Sequence, residues 1–330
     1  MSKLKLAQRY AITCPGQGIL RPGLINPNKQ YLNLYSNLLE EVDSVLGFNF
    51  SKYLFSDNEA NNSISLLDTR NAQPAILATT YITLKTYEKV NNVPLLAGAK
   101  YLLGHSLGEY TALTLSGVID FPTAIQLVRL RGELMEDIVF RENGCNGCNK
   151  NNKNKYGMVA LLVRPSFVDD VIALATKYQV LANINSKTQI VISGVLTRLD
   201  EFVEKLKREH SRSVLKTVKL PVSIPFHNEI LKQIVPELAS FLDGKLHKQN
   251  IPIVTNLDGE ISSDAKTTVQ KTLKANYLPV QWIKSMNFLL DAELDVVYNL
   301  GPGDITHNIN KKYNIKNILI DKVEKVSEKP

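Results

Sequence analysis

Gly104-His105-Ser106-Leu107-Gly108 is a G-x-S-x-G pentapeptide set between the apolar Tyr101–Leu103 and a helix-like run from Glu109 to Ser116. A strand that turns sharply into a helix holds the central serine in a strained, exposed position, and flanking glycines let the neighbouring backbone approach. Ser106 is therefore the candidate nucleophile. The same turn puts the Leu107 N–H at a helix N-terminus, where it can donate to an oxyanion forming beside the serine. A serine hydroxyl attacks poorly at neutral pH unless a neighbour takes its proton, and the chain has five histidines to choose from. His105 adjoins the serine in the elbow and is expected to point away from it. His210 and His247 lie in charged surface sequence, and His307 follows Gly301-Pro302-Gly303, where it would cap a helix. His227 ends the stiff apolar segment Pro221-Val222-Ser223-Ile224-Pro225-Phe226 and is the best base, beside the plainer reading of a core histidine satisfied by backbone. No acid presents itself as a third member, so a dyad is expected, with the imidazole oriented by a carbonyl or amide from the region of Gln281.

A second feature is the pair Arg129 and Arg131 in the otherwise apolar run from Leu127 to Met135. Residues two apart point to nearly opposite sides of a helix, so one arginine faces solvent while the other enters the core side and needs an anion. If that side borders the elbow, the guanidinium reads a substrate carboxylate. A structural ion pair with Glu133 or Glu136 is an equal alternative.

These residues must be carried by an ordinary globular chain. The 330 residues are 44% hydrophobic, enough for one large or two moderate domains. No run approaches the roughly 18 apolar residues of a membrane helix, so no membrane insertion is expected. Thirty-nine basic against 32 acidic residues give a net charge of +7, which favours acidic partners. The basic residues are scattered, and no aromatic ladder or helix-turn-helix accompanies them, so nucleic acid is not expected. Three cysteines exclude a disulfide framework and point to a reducing compartment. Cys145-x-x-Cys148 lies in an Asn/Gly/Lys tract without nearby histidines, and reads as a surface insertion and not as a metal site. No acidic residue precedes Glu40, which resembles a mitochondrial presequence in charge alone, although strand material already begins at Tyr10.

The order of elements is that of an α/β protein. Tyr10–Thr13 reads as a strand entering the turn Cys14-Pro15-Gly16-Gln17-Gly18, Gln73-Pro74 opens a helix over Ala75–Tyr87, and Leu102–Leu103 enters the elbow. Beyond the insertion come strand Gly157–Val163, helix Phe167–Lys177, strands Val180–Ile184 and Gln189–Ser193, helix Leu199–Lys207 and strand Val214–Lys219. That β-α-β-β-α-β order is the split βαβ pattern of a ferredoxin-like unit. Strand material at Leu220–Pro225, Ile253–Asn256 and Val296–Leu300 returns the chain to the first unit. The expected architecture is α/β: a large, discontinuous α/β-hydrolase-like domain with a parallel sheet (1–154 and 220–330) carrying an inserted ferredoxin-like subdomain (155–219).

Several segments together resemble a known family. Cys14-Pro15-Gly16-Gln17-Gly18, Gln73-Pro74-Ala75, Gly104-His105-Ser106-Leu107-Gly108-Glu109-Tyr110, Arg131-Gly132, Ser223-Ile224-Pro225-Phe226-His227, Pro279-Val280-Gln281-Trp282 and Gly301-Pro302-Gly303 follow the order and spacing of malonyl-CoA:acyl carrier protein transacylases. The resemblance spans about Tyr10 to Lys312. It implies that Ser106 is acylated by malonyl-CoA, that His227 is base and then acid, and that Arg131 binds the malonyl carboxylate. It further implies oxyanion-hole amides from Gln17 and Leu107, a backbone hold on the imidazole from Gln281, a pocket-lining Gln73, and Asn183 and Asn185 facing the cleft. Phe226 resembles the bulky residue of malonyl-selective members. The implied partners are malonyl-CoA and an acidic holo acyl carrier protein. The resemblance implies no cofactor and no metal, and a monomer is expected. The insertion at 143–155, Asp304 where lysine is frequent and Cys14 in place of phenylalanine depart from the pattern. The insertion points to a fungal, stand-alone, mitochondrial-type enzyme, with the cytoplasm as the alternative. A serine hydrolase or thioesterase using the same dyad is the competing function.

Overall fold

The computed structural model of the chain describes residues 7–18, 23–55, 64–144 and 155–325. In chain order the strands are β1 (Tyr10–Cys14), β2 (Tyr101–Gly104), β3 (Tyr156–Val163), β4 (Leu181–Ser186), β5 (Gln189–Val195), β6 (Val214–Lys219), β7 (Ile253–Val254), β8 (Ile261–Ser262), β9 (Val296–Leu300) and β10 (Lys316–Ile320). The larger sheet runs β10-β9-β1-β2-β7-β8 and is parallel except for the last pair. Strand side chains alternate between two apolar layers. Tyr10, Ile12 and Leu102 enter the main core, while Ala11, Leu103 and Val297 pack under Trp282 and Met286 on the other face.

The topology dictates where a site can form. The chain moves outward from β1 to β2 in one direction and from β9 to β10 in the other, so the loops at the carboxyl edge part and leave a crevice. Cys14 is in register with Gly104 at that edge, which sets the loop after β1 beside the elbow after β2.

The helix expected over Ala75–Tyr87 is longer, running Thr69–Asn91, and Pro74 lies inside it instead of opening it. An interior proline removes the hydrogen bond to the carbonyl four residues back. That carbonyl belongs to Arg70, and Arg129 Nη1 donates to it at 3.4 Å from the neighbouring helix Phe121–Glu142. A tertiary donor thus compensates what the proline removes.

The second sheet is antiparallel, ordered β4-β5-β3-β6, with the helices Val168–Lys177 and Leu196–Glu209 in the connections after β3 and β5. It has its own core of Leu161, Val163, Ile190, Ile192, Phe202 and Leu206. Two backbone bonds tie it to the larger unit, Ile184 N–H to Val280 O and Val280 N–H to Ala182 O, both 2.9 Å. The whole is a mixed α/β fold with a parallel sheet.

Two expected strands change. Leu220–Pro225 is irregular, because Pro221 and Pro225 lack the N–H a ladder needs, and it lies along the cleft instead. Ile253–Asn256 shortens to Ile253–Val254, since the Thr255 and Asn256 backbone N–H groups bond to Glu260 O and to the Glu109 side chain. Cys145 and Cys148 lie outside the described residues, as do the first six residues.

The helices Thr69–Asn91 and Phe121–Glu142 come into tight contact at Gly132, where a Cβ would fall 2.5 Å from Arg70 Cα and 2.8 Å from Arg70 N. Backbone cannot yield as a flexible side chain does. Gly132→Ala is expected to lower the unfolding free energy by about 1–3 kcal/mol through overpacking, read as a lower urea midpoint with an unchanged slope.

Candidate active site

Ser106 follows β2 with φ +54°, a left-handed backbone that non-glycine residues adopt at a cost. The helix Gly108–Leu115 begins two residues later, so the chain has almost no room to turn. A Cβ on Gly104 would fall 1.8 Å from the Gly108 carbonyl carbon, which makes glycine obligatory there. The side chain of Asn256, just past β7, braces the turn from outside. Its Oδ1 accepts the Ser106 N–H at 2.8 Å and its Nδ2 donates to Gly104 O at 2.5 Å. Asn256 N–H in turn donates to the buried Glu109 carboxyl at 2.9 Å. Burial pushes the Glu109 pKa up to about 8, against that hydrogen bond. Nothing in the sequence singled out Asn256, because its partners are about 150 residues away.

His227, also left-handed at φ +59°, presents Nε2 to Ser106 Oγ at 2.8 Å. Its Nδ1 lies 2.6 Å from Ala275 O. A carbonyl only accepts, so Nδ1 carries the proton and Nε2 is left with a lone pair facing the serine O–H. The Gln281 backbone does not hold the imidazole. Its N–H donates to Asn256 O at 2.7 Å and its carbonyl receives Lys284 N–H at 3.0 Å, which places it at the start of helix Trp282–Asp291. The expectation of a backbone carbonyl was met six residues earlier, at the end of helix Ala265–Lys274. Burial pushes the His227 pKa down to about 3, against the pull of the Ala275 carbonyl, so the ring is neutral at ordinary pH.

The cleft encloses about 850 Å³ and is lined by residues that follow β1, β2 and β9 and by the small sheet, among them Gln17, Ser106, Asn183, Asn185, Phe226 and Ile305. Leu107 is fully buried; its N–H, at the first step into the helix, has no hydrogen-bond acceptor among the described residues. Ser106 N–H is already taken by Asn256, so Leu107 N–H is the free donor of the elbow. Gln17 Nε2 reaches Thr69 Oγ1 at 3.3 Å, while its buried Oε1 has no partner among the described residues. Asn185 Oδ1 lies 2.8 Å from His105 Nε2, which confirms His105 as turned away from the nucleophile and packed edge-on to Trp282. His307 is buried within the short helix Ile305–Asn310, and no hydrogen bond among the described residues joins it to the dyad.

The arginine alternatives separate cleanly. Glu133 pairs with Arg129 at 2.6 Å and Glu136 with Arg70, so neither acid reaches Arg131. Arg131 is 2% exposed, lines the cleft, and meets two neutral oxygens: Gln73 Oε1 at 2.8 Å from Nη1 and Asn276 Oδ1 at 2.7 Å from Nε. Its carbon lies 5.0 Å from the centre of the Tyr110 ring. Gln73 was expected to line the pocket. It is instead fully buried behind Arg131 and bonded to it, because the helix it sits on starts earlier and carries it inward. Asn276 and Tyr110 gave no sequence signal as ligands of an arginine.

This arrangement joins a nucleophile, a neutral base, a free amide donor and a buried cation that has no carboxylate partner among the described residues. It suits acyl transfer of an acid-bearing group.

Comparison with known proteins gives consistent results. The acyl transferase domain family matches residues 28–286. A malonyl CoA-acyl carrier protein transacylase of Staphylococcus aureus (strain COL) is 30% identical over 311 residues, covering 93% of this chain and 92% of the relative. The crystal structure of FabD from Acinetobacter baumannii superposes with a TM-score of 0.79 at 26% identity, covering 96% of this chain and 95% of that one. The malonyl-transacylase PlMCAT, solved with the type II PKS acyl-carrier protein AntF, shares the fold with a TM-score of 0.79 at 24% identity, covering 95% of this chain and 96% of that one.

The neutral imidazole yields a pH prediction. The unfolded chain binds a proton near pH 6.5 that the folded His227 refuses, so His227 withdraws stability as pH falls from about 6.5 towards 3. Activation of Ser106 should persist in that window while the protein stays folded. Labelling of Ser106 by a fluorophosphonate, followed by intact mass, is expected to stay level through pH 6.5. An acid limb centred there would show that the ring is not held neutral.

Proposed function

The chain belongs to the acyl transferase family and, within it, to the malonyl CoA-acyl carrier protein transacylases, and from that membership we propose how its own residues divide the work. The protein transfers a malonyl group from malonyl-CoA to acyl carrier protein, the reaction that supplies fatty acid synthesis with its extender unit. Ser106 Oγ attacks the thioester carbonyl as its proton passes to His227 Nε2. The tetrahedral oxyanion is met by the N–H groups of Leu107 and Gln17, and collapse expels the CoA sulfur, which takes the proton back from His227. The phosphopantetheine thiol of the carrier then attacks the malonyl-serine, giving its proton to His227, which returns it to Ser106. Arg131 holds the malonyl carboxylate through both half-reactions, kept in place by Gln73; Asn183 and Asn185 close the cleft from the small sheet. Every proton and developing charge has a protein partner in this cycle, so we assign no metal and no cofactor.

The observation that carries the reading is the 2.8 Å Ser106–His227 contact in one cleft with a buried arginine lacking any carboxylate partner among the described residues. A hydrolase using the same dyad has no need of that cation.

The finer readings follow from the same features. The parallel sheet with the elbow after β2 supports an α/β-hydrolase-like large domain over 1–154 and 220–330. The β-α-β-β-α-β order and the strand order β4-β5-β3-β6 support a ferredoxin-like subdomain over 155–219. Phe226 at the cleft wall supports selection against branched acyl groups. The net charge of +7 suits an acidic carrier protein and the phosphates of CoA. We place the enzyme as a monomer of fungal type in the mitochondrial matrix, on the family resemblance and the Asn/Lys-rich insertion. A cytoplasmic enzyme is the alternative.

Intact mass after brief exposure to malonyl-CoA is expected to show one malonyl adduct, absent from Ser106→Ala, that survives in buffer and moves to holo carrier protein. An adduct lost to water before the carrier is added would point to a hydrolase. Arg131→Ala is expected to lower kcat/KM for malonyl-CoA by about 100-fold, as loss of a buried charge partner does, with acetyl transfer much less affected. Equal losses for both acyl groups would remove Arg131 from carboxylate recognition.

A further inference from the structure

Asn276 is fully buried directly beyond helix Ala265–Lys274 and faces Arg131. Its amide orientation is dictated by its surroundings. Nδ2 donates to Leu273 O and to Tyr110 Oη, both at 2.9 Å, so Oδ1 must be the atom turned to Arg131 Nε at 2.7 Å. Tyr110 in turn lies with its ring under the guanidinium. The arginine is thus pinned on one edge by Asn276, at Nη1 by Gln73 Oε1, and on one face by an aromatic ring. None of these partners carries a negative charge. Glu109, the buried acid near enough to act on Arg131 through space, is committed to Asn256 N–H.

A carboxylate at the Asn276 position would make the same hydrogen bond with the opposite consequence. It would neutralise the guanidinium internally, and an incoming carboxylate would have to compete with a partner already in place. A neutral acceptor fixes the fork and leaves its charge unspent. We propose that Asn276 is a specificity-determining positioning residue, which aims Arg131 into the cleft through an uncharged acceptor and so makes the site select an acyl group with a free carboxylate. This deepens the malonyl-transfer reading above and rests on it.

The adjacent residue sharpens the test. Ala275 O holds His227, so a disturbance that merely loosened this turn would misplace the base and slow every acyl group alike. A defect confined to Arg131 would slow only the carboxylate-bearing one. The readout is therefore the ratio of kcat/KM for malonyl-CoA to that for acetyl-CoA, measured on the full-length protein. Asn276→Asp is expected to lower that ratio about 100-fold, in the range of disrupted buried charge recognition. Asn276→Ala, which removes the acceptor and adds no charge, is expected to lower it about 10-fold, as loss of a hydrogen bond to a charged group does. It decides the matter if the Asp variant fails to fold. Parallel losses for both thioesters, or a wild-type ratio, would overturn the proposal. Arg131→Ala measured alongside separates the two levels. If its ratio collapses while the Asn276 variants keep theirs, the inference about Asn276 alone fails; if its ratio is unchanged, carboxylate recognition by Arg131 fails and this proposal fails with it.

Discussion

The left-handed backbone at Ser106 is the constraint on which the site depends. Holding a non-glycine residue there costs about 1–3 kcal/mol, and the chain distributes the support over elements far apart in sequence. The Asn256 amide grips both the Ser106 N–H and the Gly104 carbonyl, and its own N–H is anchored on Glu109, three residues past the serine. The brace closes a loop from the elbow to β7 and back into the elbow's own helix. Because it consumes the Ser106 N–H, the oxyanion-stabilising role passes to the next amide, which already points out of a helix N-terminus. Strain and donor placement are two consequences of one hydrogen-bond pattern.

Electrostatics around the dyad follow from burial. A neutral imidazole is what a base must be before attack; burial holds it so, while the carbonyl behind Nδ1 fixes the tautomer without a third acid. The same dry surroundings would penalise an unpaired guanidinium heavily. Arg131 escapes that cost through amide oxygens and the electron-rich face of Tyr110, interactions that satisfy its N–H groups yet leave its positive charge to be met by a ligand. A substrate carboxylate replaces its own hydration with a preorganised partner, and a neutral acyl group has nothing to offer in return.

Much of this was legible in the sequence, for local reasons. The elbow, the parallel strands on either side of it and the β-α-β-β-α-β run depend on period-two and period-3.6 patterns and on glycines within a few residues of one another. Ser106, His227 and Arg131 could each be chosen because a rigid or apolar local context made a reactive side chain conspicuous. What escaped was set by long-range geometry. Asn256 and Asn276 look like ordinary turn asparagines until partners about 150 residues away are brought to them. The helix start at Thr69 was hidden because Pro74 looks like a beginning, and the Arg129 donor that meets the carbonyl it leaves unpaired comes from a helix distant in sequence. Gln281 was chosen as the imidazole's support because it sits in a conspicuous motif. The carbonyl that does the work belongs to Ala275, and a backbone group leaves no trace in residue type.

The buried polar groups beneath the cleft extend the same logic to the whole fold. Thr13 on β1 donates to Asn299 on β9 at 2.8 Å, and Asn310 donates to the same oxygen at 2.6 Å. Asn310 also accepts the Trp282 indole N–H at 2.8 Å; Trp282 packs on His105, and His105 bonds to Asn185 of the small sheet. This chain of contacts passes from the central strands, under the elbow, to the opposite wall of the cleft, and each contact in it is between uncharged groups. An ion pair placed there would add a field acting on both His227 and Arg131, shifting the base and competing for the substrate. Neutral amides can specify geometry without altering the charge balance of the site, which leaves the charge of the buried Arg131 available to an acidic acyl group.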